Sequence, residues 1–192
     1  MHKTWFVTGA ASRLGADIVK AALVQGDRVF ATDGDGAALV SAFVQARCHG
    51  VADELQLRPL DVADGRAVNA ALADAIERFG GVDVVVHAEP LRQDGGTRAR
   101  WPDSALVRGL FNVTRAALPS MRERRGGRIH HLVPPLRPGA GPSLFSIAGF
   151  CAAVAADVAD AGITVNAVAP CEAHVRLFAP WSQGADHLLE QA

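Results

Sequence analysis

A chain of 192 residues has room for one well-filled core and little for a second full domain. Its 49% hydrophobic and 20% charged content excludes extended disorder, and a net charge of −1 with a pI near 6.6 leaves no electrostatic footprint for nucleic acid or an anionic membrane. Cys48, Cys151 and Cys171 are too few and too widely spaced for a disulfide framework or a zinc site. With no leader-like N-terminus and no apolar run of bilayer length, a reducing, cytoplasmic location without a metal is expected.

Short β-rich runs alternate with helical patterns along the chain. A strand is expected at 4–8, a helix at 14–25, a strand at 28–32 and a helix at 36–47. Then come a strand at 55–60, a helix at 64–79, a strand at 83–87 and a long helix at 102–125. A strand at 128–133, a helix at 143–161 and a strand at 163–168 complete the series. The strands are apolar runs rather than alternations, as befits a parallel sheet covered on both faces, so the fold class is one doubly wound α/β domain. Gly26 and Gly80-Gly81 stand where two helices should stop, one as a C′ residue. The polar segment 89–100 reads as a mobile loop, and the prolines of 134–142 exclude regular helix or central strand there. The basic run 121–128 reads as a helix C-terminus before a glycine stop. The helix at 143–161 is apolar almost all round and should be buried on more than one side. A second copy of the chain is the simplest cover; the tail 171–192 is the alternative.

Thr8-Gly9-Ala10-Ala11-Ser12-Arg13-Leu14-Gly15 follows a strand and opens a helix, the context of a dinucleotide fingerprint. Gly9 and Gly15 permit the tight turn and close approach, and Ser12, Arg13 and Leu14 begin a helix whose N-terminus suits a pyrophosphate. Asp33 ends the second strand, where a carboxylate can accept from the adenosine ribose hydroxyls and repel a 2′-phosphate, so NAD is expected over NADP. Asp61-Val62 ends the third strand, and Asn166-Ala167-Val168-Ala169-Pro170 closes the sixth.

These motifs, with the V-D-V-V-V run at 82–86, F-N-V-T-R-A-A-L-P-S-M at 111–121, G-G-R-I at 126–129 and G-I-T-V-N-A-V-A-P at 162–170, occur in one order over residues 3–170. The chain resembles a short-chain dehydrogenase/reductase of the single-domain Rossmann type. The resemblance implies a six-stranded parallel sheet of order 3-2-1-4-5-6 over residues 1–170, with 171–192 a short tail and the family's seventh strand missing. It also implies NAD(P)-dependent oxidation of an alcohol or reduction of a carbonyl, Asp61 at the adenine edge, and a cofactor site that includes Val62 and Ala88.

The chain departs from that pattern at specific positions. The middle glycine of T-G-x-x-x-G-x-G is Arg13, which would strain a left-handed backbone or pair with phosphate. The strand-four motif N-N-A-G is His87-Ala88-Glu89-Pro90, the helix asparagine falls on Leu106, and the strand-five serine pair falls on Val133-Pro134. The Tyr-x-x-x-Lys positions fall on Ala140 and Leu144, or in a shifted register on Phe145 and Gly149, and after Pro170 a glycine and a threonine fall on Cys171 and near Val175. Tyrosine is the family's proton-transfer group and lysine lowers its pKa, yet the chain holds no tyrosine and no lysine beyond Lys3 and Lys20. A pseudoenzyme that keeps the scaffold and NAD binding, and acts by binding or by oligomerising through helices 102–125 and 143–161, with itself or with an intact relative, is the first expectation. An active NAD-dependent oxidoreductase on a small carbonyl or alcohol, using His87 and Glu89 at the end of strand four, is the second. Ser143 and Ser146 read as helix caps, Arg98 and Arg100 as solvated loop residues that could meet an anionic substrate. His130 and His131 point to opposite sheet faces and cannot share a metal.

Overall fold

The computed structural model describes residues 2–48, 53–88, 104–133 and 142–169. Six strands, β1 (Thr4–Thr8), β2 (Arg28–Asp33), β3 (Leu55–Pro59), β4 (Val84–His87), β5 (Gly127–Leu132) and β6 (Ile163–Val168), form one sheet. The order is β3-β2-β1-β4-β5-β6 and every pair is parallel, as the resemblance implied. Strand edges differ from expectation by a residue or two. β4 begins at Val84 because Asp83 anchors the strand entry instead: its carboxylate accepts from the Thr4 amide at 2.8 Å and pairs with Arg124.

Helices α1 (Arg13–Val24) and α2 (Gly36–Cys48) cover one face, where Val19, Leu39 and Phe43 pack on Trp5, Val7, Val29 and Val86. Helices α3 (Gly65–Phe79), α4 (Ser104–Arg124) and α5 (Pro142–Val158) cover the other, where Leu72, Leu110, Met121 and Ile147 pack on Phe6, Val85 and Ile129. Covering both faces of the sheet with helices favours apolar side chains on the strands, which is why they read as largely apolar runs. The helix expected through 161 ends at Val158 and closes with a 3-10 turn, Ala159–Ala161. Asp64 caps α3 through the amides of Arg66 and Ala67, and Gly80 ends it in the left-handed conformation (φ 82°).

Among the described residues of α5, Ile147, Cys151 and Val158 are buried, while Ala148, Gly149, Ala152, Ala153 and Ala156 are exposed. Among the described residues no helix is long and apolar enough to cross a membrane.

Candidate functional site

The carboxyl ends of β1, β2, β3 and β4 converge where ligands bind in a doubly wound sheet. After β1 the chain turns at Gly9, whose φ of 62° suits a residue without Cβ. Ser12 caps α1, accepting from the Gly15 amide at 3.1 Å while donating to the Gly9 carbonyl at 2.7 Å. Gly15 packs so tightly on that turn that a Cβ would lie 2.2 Å from the Gly9 oxygen. Arg13 is the first residue of α1, exposed, and no described residue other than glycine and Arg125 has a positive φ. The position therefore does not demand a left-handed backbone; the turn takes its positive φ at Gly9. The exposed guanidinium stands at a helix N-terminus and has no ion pair among the described residues. Leu14 is half-buried against the α1 face.

Asp33 ends β2 fully buried, its carboxylate accepting from the Ala11 amide at 3.0 Å and the Asp35 amide at 2.9 Å. It thereby ties the turn after β1 to the turn after β2. These bonds hold the carboxylate at the end of β2, beside the turn that leads into α1. After β3, Asp61 is exposed and accepts from the Ala63 amide at 2.9 Å, while Val62 is buried. Ala88 is fully buried, its amide donating to the Thr8 carbonyl at 3.2 Å.

At the end of β4 the structure brings together residues that sequence reasoning treated separately. Thr8, His87 and His131 lie in one row across β1, β4 and β5. The His87 Nδ1 and Thr8 Oγ1 are 2.8 Å apart, and the His87 and His131 rings meet edge to face at 5.6 Å. Thr114 Oγ1 lies 2.9 Å from the Leu110 carbonyl and 2.8 Å from His131 Nε2. A hydroxyl has one proton; donated to the carbonyl, it leaves Thr114 accepting from His131 Nε2–H and His131 Nδ1 a bare acceptor. His87 Nε2 and His131 Nδ1 have no hydrogen-bond partner among the described residues. Burial pushes His87 down to about 3, and His131 well below its ordinary value, with the neighbouring His87 and His130 adding to the effect. Both imidazoles are therefore neutral at pH 7. His130, on the opposite face as expected, is pushed down to about 4 by burial and Arg128. The row shows itself only once the strand order is known, because residues 8, 87 and 131 share no sequence spacing.

The chemistry-bearing cations lie elsewhere. Lys3 precedes β1 at the opposite end of the sheet, its amide donating to Asp27 at 2.8 Å, and Lys20 is exposed two turns along α1. Gly149 is exposed on α5, and Cys151, facing the core, has its thiol pushed up to about 11 by burial. Among the described residues no three His, Cys, Asp or Glu gather as metal ligands. Glu89, Arg98, Arg100, Pro134, Ala140, Cys171 and Val175 lie outside the described residues.

A family model described as short chain dehydrogenase matches residues 3–132. The 2-(R)-hydroxypropyl-CoM dehydrogenase of Xanthobacter autotrophicus is 32% identical, covering 88% of this chain and 74% of that protein. Actinorhodin polyketide ketoreductase, solved with NADPH, matches at a TM-score of 0.73 and 31% identity, over 95% of this chain and 78% of that one. A 3-ketoacyl-(acyl-carrier-protein) reductase from Brucella melitensis, solved with NADH, shares the fold at a TM-score of 0.70 and 23% identity, over 88% and 74% of the two chains.

Proposed function

The chain belongs to the short-chain dehydrogenase family, a family of oxidoreductases, and from that premise we propose that it binds NAD(H) but has lost the tyrosine–lysine hydride-transfer chemistry. The observation that carries this reading is the absence of tyrosine from the entire chain, with Lys3 and Lys20 its only lysines. A bound nicotinamide would supply a hydride donor or acceptor. The chain's own part is to seat the pyrophosphate on the α1 N-terminus between Gly9 and Gly15, with Arg13 available to the phosphates. Asp33 favours NAD by accepting from the ribose and crowding a 2′-phosphate. The similar proteins solved with NADH and NADPH support a nicotinamide cofactor of either kind, so the preference for NAD rests on Asp33 alone.

The tyrosine that would hand a proton to a substrate oxygen is missing from the sequence. His87 is a poor replacement because it is fully buried, bonded to Thr8 and neutral down to about pH 3. The scaffold then acts by binding, as a homo-oligomer through the outer faces of α4 and α5, where Val107 and Phe111 join the small residues of α5 in one exposed apolar surface.

Calorimetric titration with NAD⁺, NADH and NADP⁺, paired with NADH oxidation against a panel of aldehydes and ketones, tests this reading. Binding of NAD(H) about tenfold or more tighter than NADP⁺, without turnover, is the expected result. Turnover that disappears in His87→Ala would overturn the loss of chemistry, and failure to bind any dinucleotide would overturn the cofactor assignment.

A further inference from the structure

The turn after β3 is held in place from α4. The Asn112 side chain, half-buried one turn from the start of that helix's buried face, donates through Nδ2 to the Val62 carbonyl at 3.0 Å and to the Ala63 carbonyl at 3.2 Å. Both carboxamide protons are thereby used on consecutive peptide units of one turn. Two glycines make the approach possible. A Cβ on Gly65 would stand 3.0 Å from Asn112 Oδ1, and a Cβ on Gly109 would stand 2.7 Å from Val62 Cγ2. Helix α4 therefore touches down on residues 62–65 at two successive turns, by shape at Gly109 and by hydrogen bonds at Asn112.

The turn's own hydrogen bonds are short-range. Asp61 accepts from the Ala63 amide at 2.9 Å, and the Asp64 amide donates to the Asp61 carbonyl at 3.1 Å, both within the turn. Its location gives it a role. In a doubly wound sheet the pyrophosphate lies at the α1 N-terminus and the adenosine ribose at the end of β2, so the base extends toward the turn after the next strand outward, which is β3.

We propose that Asn112 is the positioning residue for the adenine end of the dinucleotide site, fixing the Asp61–Ala63 turn that the base meets. The inference rests on the nucleotide-binding reading above. A free turn would sample many backbone states and bind the base only from a fraction of them; two side-chain bonds remove that heterogeneity before the ligand arrives.

The test is titration of the wild type, Asn112→Leu and Gly65→Ala with AMP and with NAD⁺, together with amide hydrogen exchange of the free proteins. Asn112→Leu is expected to weaken AMP and NAD⁺ by the same factor, about tenfold, because the lost bonds act on the shared adenosine half. Exchange at residues 61–65 should accelerate while the amides of β1 and β4 keep their protection. Gly65→Ala leaves Asn112 in place but pushes its carboxamide aside, so the same matched loss is expected, and this variant decides the matter if Asn112→Leu does not fold. AMP binding unchanged in both variants overturns the inference and leaves the nucleotide reading standing. A greater loss for NAD⁺ than for AMP, or protection lost throughout the sheet, overturns it in favour of a general structural role. A wild type that binds neither nucleotide overturns the nucleotide reading itself, and the inference with it.

Discussion

His87 shows how burial decides what a side chain can do. Its position at the end of β4 recommends it for proton transfer, but enclosure between Thr8, His131 and the backbone of Gly109 removes the hydration its charged form needs. The sign of the stability effect follows. The folded pKa of about 3 lies below the ordinary 6.5, so the unfolded chain takes up protons that the fold refuses. This contribution is complete above pH 6.5 and drains away as the pH falls toward about 3. We expect the protein to lose roughly 2 kcal/mol per buried imidazole between pH 7 and pH 5, read by denaturant unfolding. His87→Asn should show a visibly smaller drop; an unchanged slope would show that the imidazole already titrates normally in the fold. The turn at Gly9, the close approach at Gly15 and the strand-end place of Asp33 were legible from sequence because local spacing sets them. The burial of Asp33, and the meeting of His87 with His131, were not, because both depend on what the rest of the sheet stacks around them.

At the level of elements, α1 and its leading turn are joined through Ser12 and the close approach of Gly15 to Gly9. The helix start was expected one residue later than the structure has it, and the difference matters: Arg13 as the first helical residue has ordinary backbone geometry. The position that tolerates no side chain is instead Gly15, pressed on the Gly9 carbonyl. Gly15→Ala must push backbone from backbone and should destabilise by about 1–3 kcal/mol, seen as a lower thermal midpoint. It should also abolish dinucleotide binding even below that midpoint; retention of wild-type affinity would show that the turn is not the phosphate seat. Arg13→Gly, in contrast, should leave the fold close to wild type. Helix α4 was legible in extent but not in role. Its sequence marked a long helix ending in basic residues, and Arg122 and Arg124 do reach Asp157 and Asp83. Its docking on the turn after β3 needed the tertiary neighbour, since nothing in the spacing of Asn112 to Gly65 announces a contact.

For the molecule as a whole, the outer surface of α4 and α5 is the feature least explained by a lone chain. Phe111 is 49% exposed and leans on Phe150 at 6.1 Å, beside a face of α5 built from alanine and glycine. If two copies meet there, Phe111→Arg should convert an oligomer into a monomer in light-scattering mass measurements with little change in helix content; a wild type of monomer mass would remove the idea. The alternation of strands and helices made the doubly wound class legible, and the family's motifs made the strand order legible. The covering of α5 was read from the apolar pattern alone, which states that a face needs cover without stating whose. One further consequence comes from the placing of β1 between β2 and β4. Its inner neighbour arrives late: the Thr4 amide waits for the Asp83 carboxylate, 79 residues downstream. At ~5–20 residues per second on a ribosome, the strand Trp5-Phe6-Val7 emerges several seconds before β4 exists. During that interval one of the most apolar edges of the sheet has no neighbour, which makes the nascent N-terminal half a natural client for chaperones and the segment where aggregation during synthesis would begin.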